Sequence, residues 1–432
     1  MKLTDILMYT LFVLVLVTAG ILIMKLVSPQ TDGFTDFRES SAYKAALQQV
    51  VTLGDARSNG RRGIQDMLSV YTSASTPENP HDVLPPSEEC FVNFYSLGCR
   101  FAGYLGPFED GYIDAQKSVD YALKMGCRTF ILEIGHAYSN KCGYFPRIVI
   151  RDKQGKKINL NLSSGICESS GNSSIKAVCE ALKQSAFNDA DQGPLVVVLY
   201  ILEIPPPSGR EPNRLLDFYS NIAKGLAPLA DRRIDNIVDG GTFARQKNEA
   251  GLLTNKISDY NGRVIVMCNV DTSTFVTRKD LTYTPDEDLN YWVNLKLSMK
   301  LEKMGATSKA DSTPYGTLDS VQSYLSFTGD QIPNLVEESK LTWSVCLETN
   351  PKNTTTPENF TILESTFGVN CIPIQIWNPE SDYLFESTKG MFAKYSFVPK
   401  PSALRYRTPD IAVPAEQVKS ADAKGGELRV PT

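Results

Sequence analysis

SVDYALKMGCRTFILEIGH (Ser118–His136) and PLVVVLYILE (Pro194–Glu203) are the stretches on which the architecture turns. In the first, Ala115, Val119, Ala122 and Leu123 fall on one face of a helix predicted over Ile113–Met125, and Gly126 is placed to end it. An apolar strand, Thr129–Ile134, follows at once. In the second, Leu195–Leu202 is apolar at successive positions, so both sides of the strand are buried. That pattern suits a parallel sheet covered by helices.

The same rhythm extends in both directions. Ile175–Phe187 reads as a helix, and Leu215, Leu216, Tyr219, Ile222, Ala223 and Leu226 form the stripe of another. Arg263–Asn269 is a strand. Thr284-Pro285-Asp286-Glu287 matches a capping box, predicting a helix that carries Leu289, Val293, Leu297 and Leu301. Leu341–Leu347 and Val369–Trp377 close the series, with a helix from Pro357 between them. Phe91–Leu97 reads as the first strand, while Arg147–Arg151 and Ile158–Leu162 flank a hairpin turn at 153–156. Alternating strands and helices predict an α/β fold, a (β/α)8 TIM-like barrel spanning 90–398, with an open doubly wound sheet as the alternative.

Upstream, Ile6–Met24 has no charged residue and is long enough to cross a bilayer as a helix. A cleaved signal peptide ending near Ala19-Gly20 is the competing reading, but Ile21–Met24 carry the apolar run past that point. The expectation is a single-pass membrane protein anchored in the lipid bilayer through Ile6–Met24, its sidedness open. The anchor covers 1–27. Juxtamembrane helices and a Pro-rich linker fill 28–89, and a proline-spaced polar arm runs over 399–432.

Composition narrows the functional classes. The 432 residues hold 44 basic and 49 acidic side chains, net charge -5, with no basic stripe, so nucleic acid is not the expected partner. Nine cysteines include no C-x-x-C pair, which argues against structural zinc. Cys127, Cys268, Cys346 and Cys371 lie in apolar runs, whereas Cys90, Cys99, Cys142 and Cys167 sit nearer loops and could pair in an oxidising space. Sequons occur at Asn161, Asn172, Asn353 and Asn359. Only two histidines exist, His81 in the linker and His136.

In a barrel, function gathers where strands end. Glu133, Gly135 and His136 follow one strand, Tyr200 and Glu203 another, Asn269 and Asp271 a third, and Glu348 a fourth. Glu133, His136 and Glu203 are the catalytic candidates, with His136 and Glu133 as a lone general base. Glu133, Glu203 and Asp271 are the candidates for a divalent cation such as Ca2+. The plainer reading makes all of these ordinary loop-facing acids.

The helix, the Gly-Cys-Arg step, the strand ending in Glu133 and the proline-led strand ending in Glu203 resemble the X-region barrel of phosphatidylinositol-specific phospholipase C over about residues 90–300. The resemblance implies phosphodiester cleavage by two histidines acting as base and acid. It places one near the end of the first strand and one after the long loop of the second. Neither Phe91–Gly106 nor 145–175 contains a histidine. Of the Glu-x-Asp that the resemblance implies for calcium, Glu133 remains and Gly135 replaces the aspartate. Tyr200 replaces the later acid, three residues before Glu203. The combination of anchor, barrel and arm also resembles proteins of large DNA viruses, which implies protein partners in a membrane or capsid assembly. Together these features predict a non-catalytic structural or binding module. The alternative is an active, calcium-dependent phosphodiester hydrolase, and a lectin-like or headgroup-binding barrel is a third reading.

Overall fold

The computed structural model describes residues 83–407, apart from 107–111, 140–142, 151–173, 188–192, 210, 235–250, 274–283, 285, 300–315, 352, 385–390 and 393. The predicted anchor, juxtamembrane helices and His81 lie outside these residues, as do Cys142, Cys167 and the 158–162 strand. Among the described residues no helix is long and apolar enough to cross a membrane.

Eight parallel strands follow one another around a ring in chain order. They are β1 (Gly98–Arg100), β2 (Thr129–Ser139), β3 (Leu195–Ile201), β4 (Val264–Cys268), β5 (Leu295–Met299), β6 (Gly316–Ser320), β7 (Trp343–Leu347) and β8 (Pro373–Ile374). Gly98 pairs with Thr129, Thr129 with Val196 and Leu195 with Val264. Around the far side Met267 pairs with Leu295, Gly316 with both Leu297 and Trp343, and Pro373 with Gly98. The ring closes through a parallel bridge between Val345 and Cys371. There Cys371 N–H donates to Ser344 O at 3.0 Å and Cys346 N–H donates to Cys371 O at 2.9 Å. A nearly closed α/β barrel of parallel strands, TIM-like in form, therefore replaces the open-sheet alternative.

Side chains alternate across each strand, which separates two cores. Ile131, Val196, Val198, Tyr200, Ile265, Met267, Leu297, Leu318 and Val345 fill the barrel. Phe130, Leu132, Val197, Leu199, Val264 and Val266 face outward to the helices α1 (Ala115–Lys124), α2 (Ile175–Ser185) and α3 (Arg214–Leu226). The first two helices start on side-chain caps, Asp114 accepting from Lys117 N–H and Ser174 from Ala177 N–H. Gly126, at φ 93°, supplies the left-handed residue that ends α1. The N-terminal end of the barrel is plugged by Phe91, stacked on Trp343 at 4.3 Å, with Tyr260 and Phe397 packed edge-on.

Three sequence expectations need correction. Phe91–Leu97 is not a barrel strand: 91–93 is a 3-10 turn, and Phe94–Ser96 pairs antiparallel with Phe397–Pro399. Gly143–Ile148 pairs antiparallel with the end of β2, Ile134 opposite Ile148 and Ser139 opposite Gly143, while the expected turn at 153–156 and its 158–162 strand lie outside the described residues. The helix expected to carry Leu289, Val293 and Leu297 is only α4 (Leu289–Trp292), after which the chain becomes β5. Glu287 does accept from Thr284 N–H at 3.2 Å, but Asp288 is the residue that caps α4. Leu295 and Leu297 then alternate into the barrel with Lys296 and Ser298 outside, so a period of two prevails over a stripe that fitted 3.6. Finally, Cys90 and Cys99, expected nearer loops, are both buried, one in each core.

The first residues of the arm pack onto the barrel. Lys400 N–H donates to Asn93 O at 2.8 Å, Tyr406 N–H donates to Asn93 Oδ1 at 2.7 Å, and Arg405 pairs with Glu88 at 3.0 Å.

Candidate functional site at the barrel mouth

At the C-terminal ends of the strands a buried ion pair occupies the mouth. Arg100 ends β1 and Glu133 lies on β2, and Arg100 Nε donates to Glu133 Oε1 at 2.7 Å. The two side chains are only 4% and 2% exposed. The other end of the guanidinium donates to Glu348 O beyond β7 at 2.9 Å, so one arginine links both sides of the mouth. Glu348 in turn accepts from Gln322 at 2.8 Å. Tyr200 and Asn269 are buried beside them, and Asn269 substitutes for a strand by accepting from Ile201 N–H and donating to Ile201 O.

His136 is three residues beyond Glu133. On a strand this puts the two side chains on opposite faces, so they form no dyad. His136 instead lies near Glu203, Nδ1 to Oε2 at 4.0 Å, both about a quarter to a third exposed (25% and 31%). Tyr144 packs edge-on to His136 at 5.3 Å, Arg214 covers the Tyr144 ring at 4.7 Å, and Tyr138 projects beside them. Asp271 stands apart, 3.9 Å from Lys296 and accepting from Ser273 N–H. Desolvation raises its carboxyl pKa, but the Ser273 hydrogen bonds and Lys296 outweigh that and hold it below the ordinary value.

These residues do not fit a calcium site. Calcium takes six to eight oxygens, yet Glu133 is held by a cation, Glu203 faces an imidazole and Asp271 a lysine. Among the described residues no three of His, Cys, Asp and Glu converge in a way that could hold a metal ion.

The sequence reading picked out Glu133, His136, Glu203, Asp271, Tyr200, Asn269 and Glu348 but missed Arg100. Its signal was an inward-facing Gly98, an outward Cys99 and then a charge at the next inward position. Where the resemblance expects the first histidine, near the end of the first strand, the chain has Arg100 and Phe101. Phe101 is fully buried with φ 58°, a left-handed conformation that costs a non-glycine residue about 1–2 kcal/mol. The Arg100 guanidinium sits 4.9 Å from its ring centre.

No family model and no curated protein matches the chain. The structure is similar to PLC21 of L. pealei at 10% identity and a TM-score of 0.49, over 74% of this chain and 38% of that one. It is similar to a calcium-dependent phosphoinositol-specific phospholipase C of the Gram-negative bacterium Pseudomonas sp. at 12% identity and a TM-score of 0.41, over 75% and 99% of the two chains. A calcium-dependent phosphatidylinositol-specific phospholipase C of Streptomyces antibioticus matches at 13% identity and a TM-score of 0.42, over 72% and 99%. The chain thus spans well under two thirds of the PLC21 protein. The nearly closed parallel barrel rests on the strand pairing described above.

Proposed function

We propose that the chain is a membrane-tethered, phospholipase C-like barrel that works as a structural or binding module rather than as a phosphodiesterase. The observation that supports this most is the Arg100–Glu133 pair, which holds in a buried ion pair the one carboxylate best placed for chemistry. General acid–base cleavage needs groups that change protonation in reach of solvent and substrate, and Glu133 is 1% exposed. The anchor at Ile6–Met24 would hold the barrel at a bilayer, where its partners would be proteins of a membrane or capsid assembly.

The test is turnover of phosphatidylinositol and glycerophosphodiesters by the full chain in detergent, with and without calcium. No product above the protein-free control is expected. Product formation that disappears in both Glu133→Ala and His136→Ala would sink the proposal. It would establish the second reading, a phosphodiester hydrolase, which the partly exposed His136–Glu203 pair favours. Extraction of the full chain from membranes by detergent but not by alkaline carbonate checks the tether.

A further inference from the structure

At the N-terminal end of the barrel, opposite the mouth, the segments Glu88–Ser96 and Phe397–Arg407 are stitched together. Phe94–Ser96 pairs antiparallel with Phe397–Pro399. Asn93, fully buried, holds the arm at three points. Its backbone O accepts from Lys400 N–H at 2.8 Å, its Oδ1 accepts from Tyr406 N–H at 2.7 Å, and its Nδ2 donates to Tyr406 O at 2.7 Å. Glu88 pairs with both Arg405 and Arg407 at 3.0 Å. Phe397 and Leu404 are the apolar side chains that the arm buries.

Lys400 is the odd member of this set. It is fully buried, and among the described residues its Nζ meets only neutral oxygens, Asn370 Oδ1 at 3.2 Å and Ser339 O at 3.4 Å. Taking an ammonium out of water without a counter-charge is costly, so burial favours the neutral amine. From the 94–96 strand Tyr95 offers its ring, 5.9 Å from Nζ, while its hydroxyl donates to Glu364 O at 2.6 Å. Glu364, on the helix Pro357–Ser365, forms no ion pair with Lys400, and desolvation pushes its carboxyl up to about 9. On α6 (Ile332–Ser339) Glu337 pairs with Lys340. Its neighbour Glu338 lines a cavity of about 350 Å³ that α6 and α5 (Val321–Leu325) share with the outer wall of β5–β7. Beside Asn370, burial raises the Cys371 thiol. Within the arm, Arg405 donates to Lys400 O and its charge is taken by Glu88. Desolvation thus lowers the Lys400 amine from 10.5 to about 7.

We infer that Phe397–Arg407 is a proton-released clasp: it locks the N-terminal end of the barrel while Lys400 is neutral, and protonation of Lys400 frees it. Docked, the lysine must stay neutral or lie charged without a counter-ion; freed, it regains water and its charge. Between 10.5 and about 7 the freed form therefore binds a proton that the docked form does not. Each pH unit lost within that window favours release about tenfold. Below about 7 both forms carry the proton and the bias levels off. Release also withdraws Phe397 from Phe91, whose ring lies 6.4 Å away in the plug. The clasp uses no residue of the mouth, so it stands or falls independently of the proposed function.

The test is limited trypsin digestion of the full chain in detergent from about pH 7 to about pH 9, inside the window set by linkage, following the bond after Arg405 by mass spectrometry. With opening fast relative to cleavage, the rate tracks the open population. The parent chain and its Lys400→Met counterpart both carry Glu364→Gln, because Glu364 would titrate with the opposite sign if release solvated it. Their ratio cancels the pH dependence of trypsin itself. Cleavage of the parent relative to Lys400→Met is expected to rise about tenfold for each pH unit lowered. Lys400→Gln, polar but equally unable to titrate, should give the same slope and serves if Lys400→Met fails to fold. Arg405 should also be cut at least about tenfold faster than the buried Arg128, which only opening of the whole barrel exposes. A ratio changing by less than about twofold across the window overturns the inference. So do equal rates at Arg405 and Arg128.

Discussion

The two sides of the barrel wall are built differently. Facing outward from β2–β4 are Phe130, Leu132, Leu195, Val197, Leu199, Val264 and Val266, all fully or nearly fully buried. Covering this side are α1, α2 and α3, of 10, 11 and 13 residues. Facing outward from β5–β7 are Lys296, Ser298, Thr317, Asp319, Ser344 and the buried Cys346, and among the described residues α4, α5 and α6 on this side have 4, 5 and 8 residues. A strand face without apolar area gains little from helical cover, at about 25 cal/mol per Å² of apolar surface removed from water. The polar side therefore keeps a cavity where the apolar side is packed.

The strongest test of the comparison is the seam between the halves. Arg100 bonds Glu133 on the apolar side and Glu348 O on the polar side. Arg100→Ala leaves a buried carboxylate without its counter-charge, and a loss of about 3–5 kcal/mol in denaturant melts is expected. A loss below about 1 kcal/mol would mean that the pair does not join the halves. Within the apolar half, Leu199→Ala should cost about 2–5 kcal/mol by the same measurement, through lost transfer energy and the cavity left behind.

Lys400 gives the polar half a pH dependence. Fully buried, it is pushed by desolvation from 10.5 down to about 7. Between those values the unfolded chain binds a proton that the folded chain does not. Stability should therefore rise as pH climbs through this window and fall as pH drops toward 7, by up to about 1.4 kcal/mol per unit. The difference between wild type and Lys400→Met isolates this contribution, and a flat difference curve from pH 7 to 10, roughly the window set by linkage, would contradict it. The smallest effect is expected at Ser298→Val, within about 1 kcal/mol of wild type. A cost comparable to that of Leu199→Ala would erase the distinction between the two sides.

The same contrast explains which elements were legible in the chain. Strands β3 and β4 stood out because both of their faces are buried and the apolar run is unbroken, and β2 and β7 were legible from shorter apolar runs interrupted by Glu133 and Ser344. By contrast β5, LKLSM, alternates with polar residues, and its leucines also fit a helical stripe begun at Leu289. The β6 strand, GTLDS, carries almost no strand signal because its outward residues are Thr317 and Asp319. At the site, Glu133, His136 and Glu203 were found because strand ends are where barrels place function. That Glu133 turns inward and His136 does not depends on strand alternation.

Periodicity was enough to predict alternating strands and helices, as a barrel or an open sheet, because burial of apolar faces leaves its record in local spacing, while the positions at which a histidine pair was expected came only from the family resemblance. Ring closure through Val345 and Cys371, the Arg100–Glu133 pair across 33 residues and the cavity outside β5–β7 were decided only by tertiary structure. Each of these joins groups far apart along the chain. Their energies depend on distance and burial, and those exist only once the barrel has closed.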